Sequence, residues 1–594
     1  LGQPLDILKL YWGYTSFRPL QEEIIDAVLQ KNDVLALLPT GGGKSICYQI
    51  PALIKDGICI VITPLVSLMK DQVDQLKNIG IKAYALYSGM SRKEIDITLD
   101  NCIYGNTKLL YVSPERLQSE LFLVRAEQMN ISLLAVDEAH CISQWGYDFR
   151  PSYLKIIAFR ETIPNVPCLA VTASATPEVQ EDIITKLKLV NYQKFEGSFK
   201  RDKLSFSIRK TEDKDQKALE ILEKIGGSAI IYVNSRKATK EISVWLNHNN
   251  ISSDYYHAGL SHDSRQRKQE EWQINLKRVM VATNAFGMGI NKSDVRIVIH
   301  YDTPTSLEAY YQEAGRAGRD ERIAYSVILY QPSDKYLQEQ IIEKGHPDAA
   351  FLKKIYQAIA NYLKVAVGSS EMESYDFDIL DFSSTFNFHV NEVYNALQKL
   401  KEEGLVDLNE SFYHPSKFIF NMTREKIYEY QVVHAEYDLL IKALMRLYGG
   451  EAFIQFTNLS ERQLAKYLNT STFQIIKKME ALHKNGVLYY DKIKDMPQLT
   501  FLTQRFDATN LHLDHNRLKE RKKVANEKFQ NVLRYIENYE VCRMKMVCQY
   551  FGENLADDCG ICDICLSKKK KTKDNTMELV KIIKESLATA PKTE

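Results

Sequence analysis

The sequence predicts an α/β fold: two consecutive domains of parallel sheet wrapped by helices, then helix-rich α+β domains, then a short cysteine-dense module. Three observations predict it. Short β-branched runs alternate with amphipathic helical stretches as far as about residue 340. The alternation stops after Ile341, where helical patterns dominate. Of ten cysteines, Cys542, Cys548, Cys559, Cys562 and Cys565 crowd into one segment.

The first domain, residues 1–200, carries strand-like runs at Asp33–Leu38, Gly57–Thr63, Lys108–Ser113, Leu133–Asp137 and Pro167–Thr172, each bounded by turn residues. The pattern restarts with Ala229–Val233, Arg278–Thr283 and Val295–His300, which makes residues 201–340 a second domain of the same kind. Beyond it, Val393–Gly404 and Ile475–Gly486 resemble each other. Leu397/Met479, Leu400/Leu482 and Gly404/Gly486 keep one constant offset. An amphipathic helix, a glycine and an apolar strand-like pair are the pattern of a winged helix. Residues 341–430 and 431–512 are therefore expected to be two winged-helix-like domains, with Asn409–Phe420 and Tyr489–Leu502 as their hairpin wings. A generic helical linker is the alternative. Residues 513–567 form a helical cysteine-bearing module and 568–594 a basic tail.

Composition bounds the function. The 594 residues suit about four domains at ~150 residues each. With 45% hydrophobic and 26% charged residues, a disordered or fibrous chain is excluded. Lys+Arg (77) balance Asp+Glu (76), which argues against coating nucleic acid by bulk charge and leaves a local basic surface open. From His515 to Lys573, fourteen Lys+Arg face eight Asp+Glu, so the basic excess is concentrated there. No membrane association is expected. The most apolar stretch, Gly57–Met69, is broken by Thr63, Pro64 and Ser67, and a span needs about 20 apolar residues. The residues from Leu1 onward carry no signal-peptide pattern, and a start at Leu rather than Met leaves the true N-terminus open.

Leu38-Pro-Thr40-Gly41-Gly42-Gly43-Lys44-Ser45 follows a strand and opens a helix. Glycines let backbone N–H groups curl around phosphate oxygens, and the helix N-terminus adds its positive dipole end. Lys44 is expected on the β/γ-phosphates and Ser45 on Mg²⁺. The full pattern wants Gly where Leu38 stands. A second apolar run delivers Asp137 and Glu138 to its C-terminal end, where α/β sites lie. Asp137 suits Mg²⁺, and Glu138 the attacking water. In the second domain Gln312, Arg316 and Arg319 share one helical run. Taken alone, the arginines read as a solvated helix end; opposite a nucleotide they suit its γ-phosphate. Cys542 and Cys559-Gly-Ile-Cys562-Asp-Ile-Cys565 offer four thiolates, a closed tetrahedral set for structural zinc. Cys548, six residues from Cys542, falls on the opposite helix face and is left out.

These elements, in this order, resemble superfamily 2 helicases, and more narrowly the RecQ family of DNA helicases. The resemblance rests on Phe17–Gln21, Thr63–Gln72, Val136–Arg150, Tyr256–Leu260, Ala282–Lys292, Gln312–Asp320 and the terminal cysteines. It implies two RecA-like P-loop lobes with ATP between them. It also implies adenine recognition by Tyr14, Arg18 and Gln21, and an aromatic-rich loop coupling DNA to hydrolysis through Trp145, Tyr147, Phe149 and Arg150. Tyr147 stands where the family usually has His. Val171–Thr176 resembles the coupling motif, with Ser174 for Thr. Thr283, Gly287 and Gly289 match the motif that contacts the DNA backbone.

The resemblance further implies ATP, Mg²⁺ and Zn²⁺ as cofactors and 3′→5′ translocation on single-stranded DNA in repair, recombination and replication. The implied partners are DNA and single-strand-binding protein, in the cytoplasm at the bacterial nucleoid. The order of parts departs from the common arrangement, in which the zinc module directly follows lobe two. The strand-separating aromatic therefore stays open among Phe412, Tyr413, Tyr489 and Tyr490. Two rival readings are an RNA helicase of the same superfamily and an ATP-switched winged-helix regulator.

Overall fold

The computed structural model describes residues 2–570 apart from 40, 88–89, 147, 288–291, 410–415, 493–495 and 512. The first lobe is built on seven parallel strands: β1 Val34–Leu37, β2 Ile58–Ile62, β3 Ala83–Leu86, β4 Leu109–Val112, β5 Ile131–Val136, β6 Cys168–Thr172 and β7 Gln193–Glu196. Their order is β3-β4-β2-β5-β6-β1-β7. Ile58–Ile62 and Val34–Leu37 are buried throughout. Helices cover both faces of a parallel sheet, so its central strands are apolar at every position rather than at alternate ones. The order sets β1 and β5 on either side of β6. The loop after β1 and the carboxylates after β5 therefore leave the same sheet edge one strand apart.

The second lobe has six parallel strands: β8 Leu204–Lys210, β9 Ser228–Tyr232, β10 Ser253–Tyr256, β11 Val279–Ala282, β12 Val295–His300 and β13 Ala324–Tyr330. They run in the order β10-β11-β9-β12-β13-β8.

Residues 341–512 depart from the expected serial arrangement. Six short strands form two three-stranded antiparallel sheets: β14 Ser374–Asp376, β15 Val406–Asn409, β16 Lys417–Phe420, β17 Thr457–Asn458, β18 Leu488–Asp491 and β19 Gln498–Phe501. β15 pairs with β19, not with β16 (Leu408 opposite Leu499), and β14 adds to the other side of β19. β16 pairs with β18 (Phe418 opposite Tyr490) and β17. The expected wings, Asn409–Phe420 and Tyr489–Leu502, are thus not hairpins. Each contributes one strand to each sheet.

The apolar cores divide the same way. One cluster joins residues 349–408 to 499–513 around Leu397, Leu400 and Phe501, and the other holds 418–490 around Met479 and Leu482. A division at 430/431 cuts through the second core. The second unit is inserted into the first between β15 and β19. The physical reason is pairing. A lone two-stranded wing is marginal in water, and exchange gives each unit three strands over an apolar face.

The cysteine module is also placed by packing. Helix His515–Glu537 leads from the first unit to helix Arg543–Tyr550. Phe529, Tyr535, Met544, Val547 and Phe551 share one core cluster with Phe206, Tyr310 and Tyr311 of lobe 2. Phe551 stacks on Phe199, centroids 4.6 Å apart. Asp563 accepts from the Ile208 N–H at 2.9 Å on edge strand β8. The module therefore caps lobe 2 although about 170 residues separate them in the chain. No helix among the described residues is long and apolar enough to cross a membrane.

Candidate active site

The loop after β1 turns through Gly41 (φ +84°) and Gly43 (φ +76°), conformations that exact a steric cost from any other residue. Ser45 is the N-cap of the helix Ile46–Ile54, so Lys44 and Ser45 stand at its positive end. The loop is clamped from the N-terminal segment. Buried Gln21 donates through Nε2 to the Gly43 carbonyl at 3.0 Å and to that of Gly42 at 3.3 Å. Its Oε1 accepts from the Arg18 N–H at 2.9 Å, and the Arg18 guanidinium donates to the Gly41 carbonyl. Gln21 and Arg18 thus shape the phosphate loop itself, beyond the purine contact the resemblance implies. Tyr14 is 58% exposed, a free aromatic face beside them in sequence. Thr40 lies outside the described residues.

Asp137 and Glu138 are buried at the end of β5. Burial, then the neighbouring Glu138, raises the Asp137 carboxyl to about 7, against the pull of Lys44. Glu138 adopts φ +47°, which turns the chain sharply after the strand. His140 joins this pair to β6. Its Nδ1 lies 2.8 Å from Thr172 Oγ1 and 3.4 Å from Glu138 Oε2. Burial lowers the His140 pKa, so the ring is neutral near pH 7 and orients rather than charges the site. Sequence reasoning gave His140 no role; its place in the Asp-Glu-Ala-His run was the available signal.

Lobe 2 completes the cleft. Arg319 reaches the phosphate loop: a Cβ added to Gly41 would lie 3.6 Å from its Nε, Cδ and Cγ. Burial, then Arg316 and Arg201, lowers the Arg319 pKa to about 10, which leaves it charged. Arg316 instead donates to the Gly287 carbonyl, and a Cβ on Gly287 would collide with its guanidinium. Gln312, Arg316 and Thr283 line the cavity between the lobes. Gly289 is outside the described residues.

The aromatic loop divides. Trp145 is 42% exposed. Phe149 faces the guanidinium groups of Arg521 and Arg517, 5.0 and 5.6 Å from its centroid. Arg150 is held by Asp148 at 3.1 Å and by the Pro64 carbonyl at 2.8 Å. Among the described loop residues, Trp145 presents the open ring, while Phe149 and Arg150 are engaged within the protein. Tyr147 lies outside the described residues. So do the wing candidates Phe412 and Tyr413 and tail residues 571–594. Tyr490 is buried with its hydroxyl on Glu461 at 2.7 Å, and Tyr489 faces Lys93 of lobe 1 at 5.5 Å.

The Sγ atoms of Cys542, Cys559, Cys562 and Cys565 lie within 4.8 Å of one another. Three pairs stand 3.4, 3.9 and 3.9 Å apart. Tetrahedral zinc at about 2.3 Å from each sulfur requires separations of about 3.8 Å, so the donor set fits zinc. Cys548 is buried on the lobe 2 side, and burial pushes its thiol up to about 12, an inert packing role.

A phosphate loop and an acidic pair on one parallel sheet, met by an arginine from a second such sheet, define a two-lobed P-loop motor of the helicase class. Residues 18–183 match the family model "DEAD/DEAH box helicase" and 213–321 "Helicase conserved C-terminal domain". Residues 418–492 match "RecQ helicase winged-helix domain, Bacteroidota" and 493–566 "RecQ zinc-binding". The chain is 45% identical over 342 residues to the ATP-dependent DNA helicase RecQ of Haemophilus influenzae, covering 57% of this chain and 55% of that one. It is 44% identical over 365 residues to the Bacillus subtilis protein of the same name, covering 60% and 62%. It is 41% identical over 341 residues to the B. subtilis "Probable ATP-dependent DNA helicase RecS", covering 57% and 68%. The chain belongs to the RecQ family of DNA helicases. It spans little more than half the length of the first of these relatives.

Proposed function

We propose that the chain is an ATP-dependent DNA helicase that moves 3′→5′ along single-stranded DNA and unwinds duplex in repair, recombination and replication. One observation carries this reading above the others: Arg319 of lobe 2 sits against Gly41 of lobe 1. A site completed only across a cleft ties hydrolysis to lobe closure, which is what a stepping motor needs.

In this reading Lys44 and the loop N–H groups bind the β/γ-phosphates, with Tyr14, Arg18 and Gln21 holding the base and the loop. Ser45 and Asp137 would hold Mg²⁺, which when bound neutralises charge on the transferring phosphoryl group. Glu138 orients the attacking water and takes its proton, and His140 fixes the Glu138 carboxylate relative to Thr172. Arg319 stabilises the charge that develops at the γ-phosphate. Arg316 and Gln312 relay lobe 2's position to the loop at Gly287 and Thr283, where the strand backbone would run. Trp145 would stack on a base, which is worth about 1–3 kcal/mol.

Cys542, Cys559, Cys562 and Cys565 would hold zinc, which would brace the module against lobe 2 as a structural ion. The basic face of His515–Glu537 supports contact with duplex backbone. Single-strand-binding protein is the expected partner, and the bacterial cytoplasm at the nucleoid the expected place. Strand displacement on 3′-tailed, 5′-tailed and blunt duplexes tests the proposal. Unwinding of the 3′-tailed substrate alone, with hydrolysis stimulated more by DNA than by RNA of the same sequence, is the expected result. Stimulation by RNA alone supports the rival, and ATP-independent duplex binding without unwinding supports the regulator.

A further inference from the structure

One cavity of about 1480 Å³ is lined by both lobes, the first unit and the inserted unit. Lys70 and Arg150 come from lobe 1, Thr283 from lobe 2, Lys401 from the first unit and Lys417 from the inserted one. It is the space that a strand held by both lobes would cross. A two-lobed cleft is open along one side; here the inserted unit, residues 417–491, stands on that side and contacts lobe 1.

Among the described residues the contacts between them are polar. Lys417 pairs with Glu94 of lobe 1, both side chains nearly buried. Tyr84 donates through its hydroxyl to Gln455 Oε1 at 3.0 Å. The Lys93 ammonium lies 5.5 Å from the Tyr489 ring. Among the described residues no apolar cluster joins lobe 1 to the inserted unit; their cores are separate. Polar interdomain faces of this kind separate readily, whereas the zinc module, which shares lobe 2's apolar core, does not. Lys70 stands in the same group, and burial, then Lys417, lowers its pKa to about 7. Glu94 holds the Lys417 ammonium, a cation that a strand phosphate could also take.

We propose that the inserted winged-helix unit is the movable wall of a closed channel for single-stranded nucleic acid, and that Lys417–Glu94 is the contact that shuts it. The channel rests on the helicase reading above; the closure goes beyond it. A shut channel admits a strand by its end. A strand without ends enters only when Lys417 leaves Glu94 and the inserted unit swings off lobe 1.

The test compares a linear single-stranded DNA with a covalently closed circle of the same sequence, following the onset of ATP hydrolysis after mixing. The wild-type protein should respond promptly to the linear strand and about tenfold or more slowly to the circle, the scale on which a required conformational change slows association. Glu94→Gln, which keeps the side chain's size and removes its charge, should abolish the lag on the circle, with the onset on the linear strand remaining prompt. The swap Glu94→Lys with Lys417→Glu should restore the lag. A circle as fast as the linear strand in the wild type, or a lag unaltered in Glu94→Gln, overturns the closure. Failure of the linear strand to stimulate hydrolysis overturns the helicase reading itself, a result separable from the other two.

Discussion

Arg521 ties three parts of the motor together, and its removal has a calculable effect. Its Nη1 lies 3.0 Å from both Glu402 Oε2 and Glu403 Oε1, and its Nη2 donates to the Glu402 carbonyl at 3.0 Å. The carboxylates belong to the C-terminal end of helix Val390–Glu402 in the first unit, and the guanidinium also covers Phe149 of lobe 1. Arg521 is 9% exposed and the Glu403 side chain 7%. Removing one partner of a buried pair costs about 3–5 kcal/mol, chiefly because the other charge is left uncompensated. Arg517, 3.9 Å from Glu403, takes over part of that charge, and the Glu402 side chain is 29% exposed.

The lower end of the range therefore applies. Arg521→Ala should cost about 3 kcal/mol locally, or about two orders of magnitude in the opening equilibrium of this node. Native-state hydrogen exchange over residues 140–155 and 396–408 reads it directly, without assuming two-state unfolding of the whole chain. If orphaned carboxylates are the cause, Arg521→Met combined with Glu402→Gln and Glu403→Gln should recover most of the lost protection. A loss below about tenfold for Arg521→Ala, or a triple variant no better than the single one, refutes the reasoning.

Arg319→Ala should lower single-turnover hydrolysis by about a thousandfold or more with little change in nucleotide binding, as loss of an arginine finger does. In the proposed site Mg²⁺ would need the ionised Asp137. With that carboxyl raised to about 7, the Mg²⁺ concentration for half-maximal hydrolysis should climb as pH falls below 7, approaching about tenfold per unit, and stay flat above it. Trp145→Ala should lose most DNA stimulation of hydrolysis while basal hydrolysis persists, measured with and without a saturating strand. Cys562→Ser, or a zinc chelator, should release zinc and open the Phe199–Phe551 stack. Limited proteolysis should then cut first within residues 538–566, and lobe 2 should lose stability with it because the core is shared.

The elements of the candidate site were legible because their chemistry is local. Gly41, Gly43 and Lys44 lie within one turn, Asp137 and Glu138 end one strand, and three of the four clustered cysteines sit in a CxxC series whose spacing brings their thiols together. The lobe strands were legible because burial on both faces leaves apolar runs with no polar alternation. Gln21 was visible as a binding residue, yet its clamp on the Gly42 and Gly43 carbonyls was not, since nothing in the sequence orients an amide toward a backbone about twenty residues away.

The sequence by itself determined the family, its two lobes, the candidate nucleotide site and which four cysteines cluster. Only the tertiary structure decided how the remaining parts assemble. β16 and β19 read as partners of the wrong neighbours because strand pairing depends on which apolar face each strand can cover, and sequence adjacency favoured the nearer one. The zinc module reads as distant from lobe 2 and is packed into its core, because Phe551 and Phe199 meet through burial rather than through the chain. Phe149 on Arg521 and Lys417 on Glu94 join residues more than 300 positions apart. Such contacts are set by the shapes of whole domains, and no local periodicity records them.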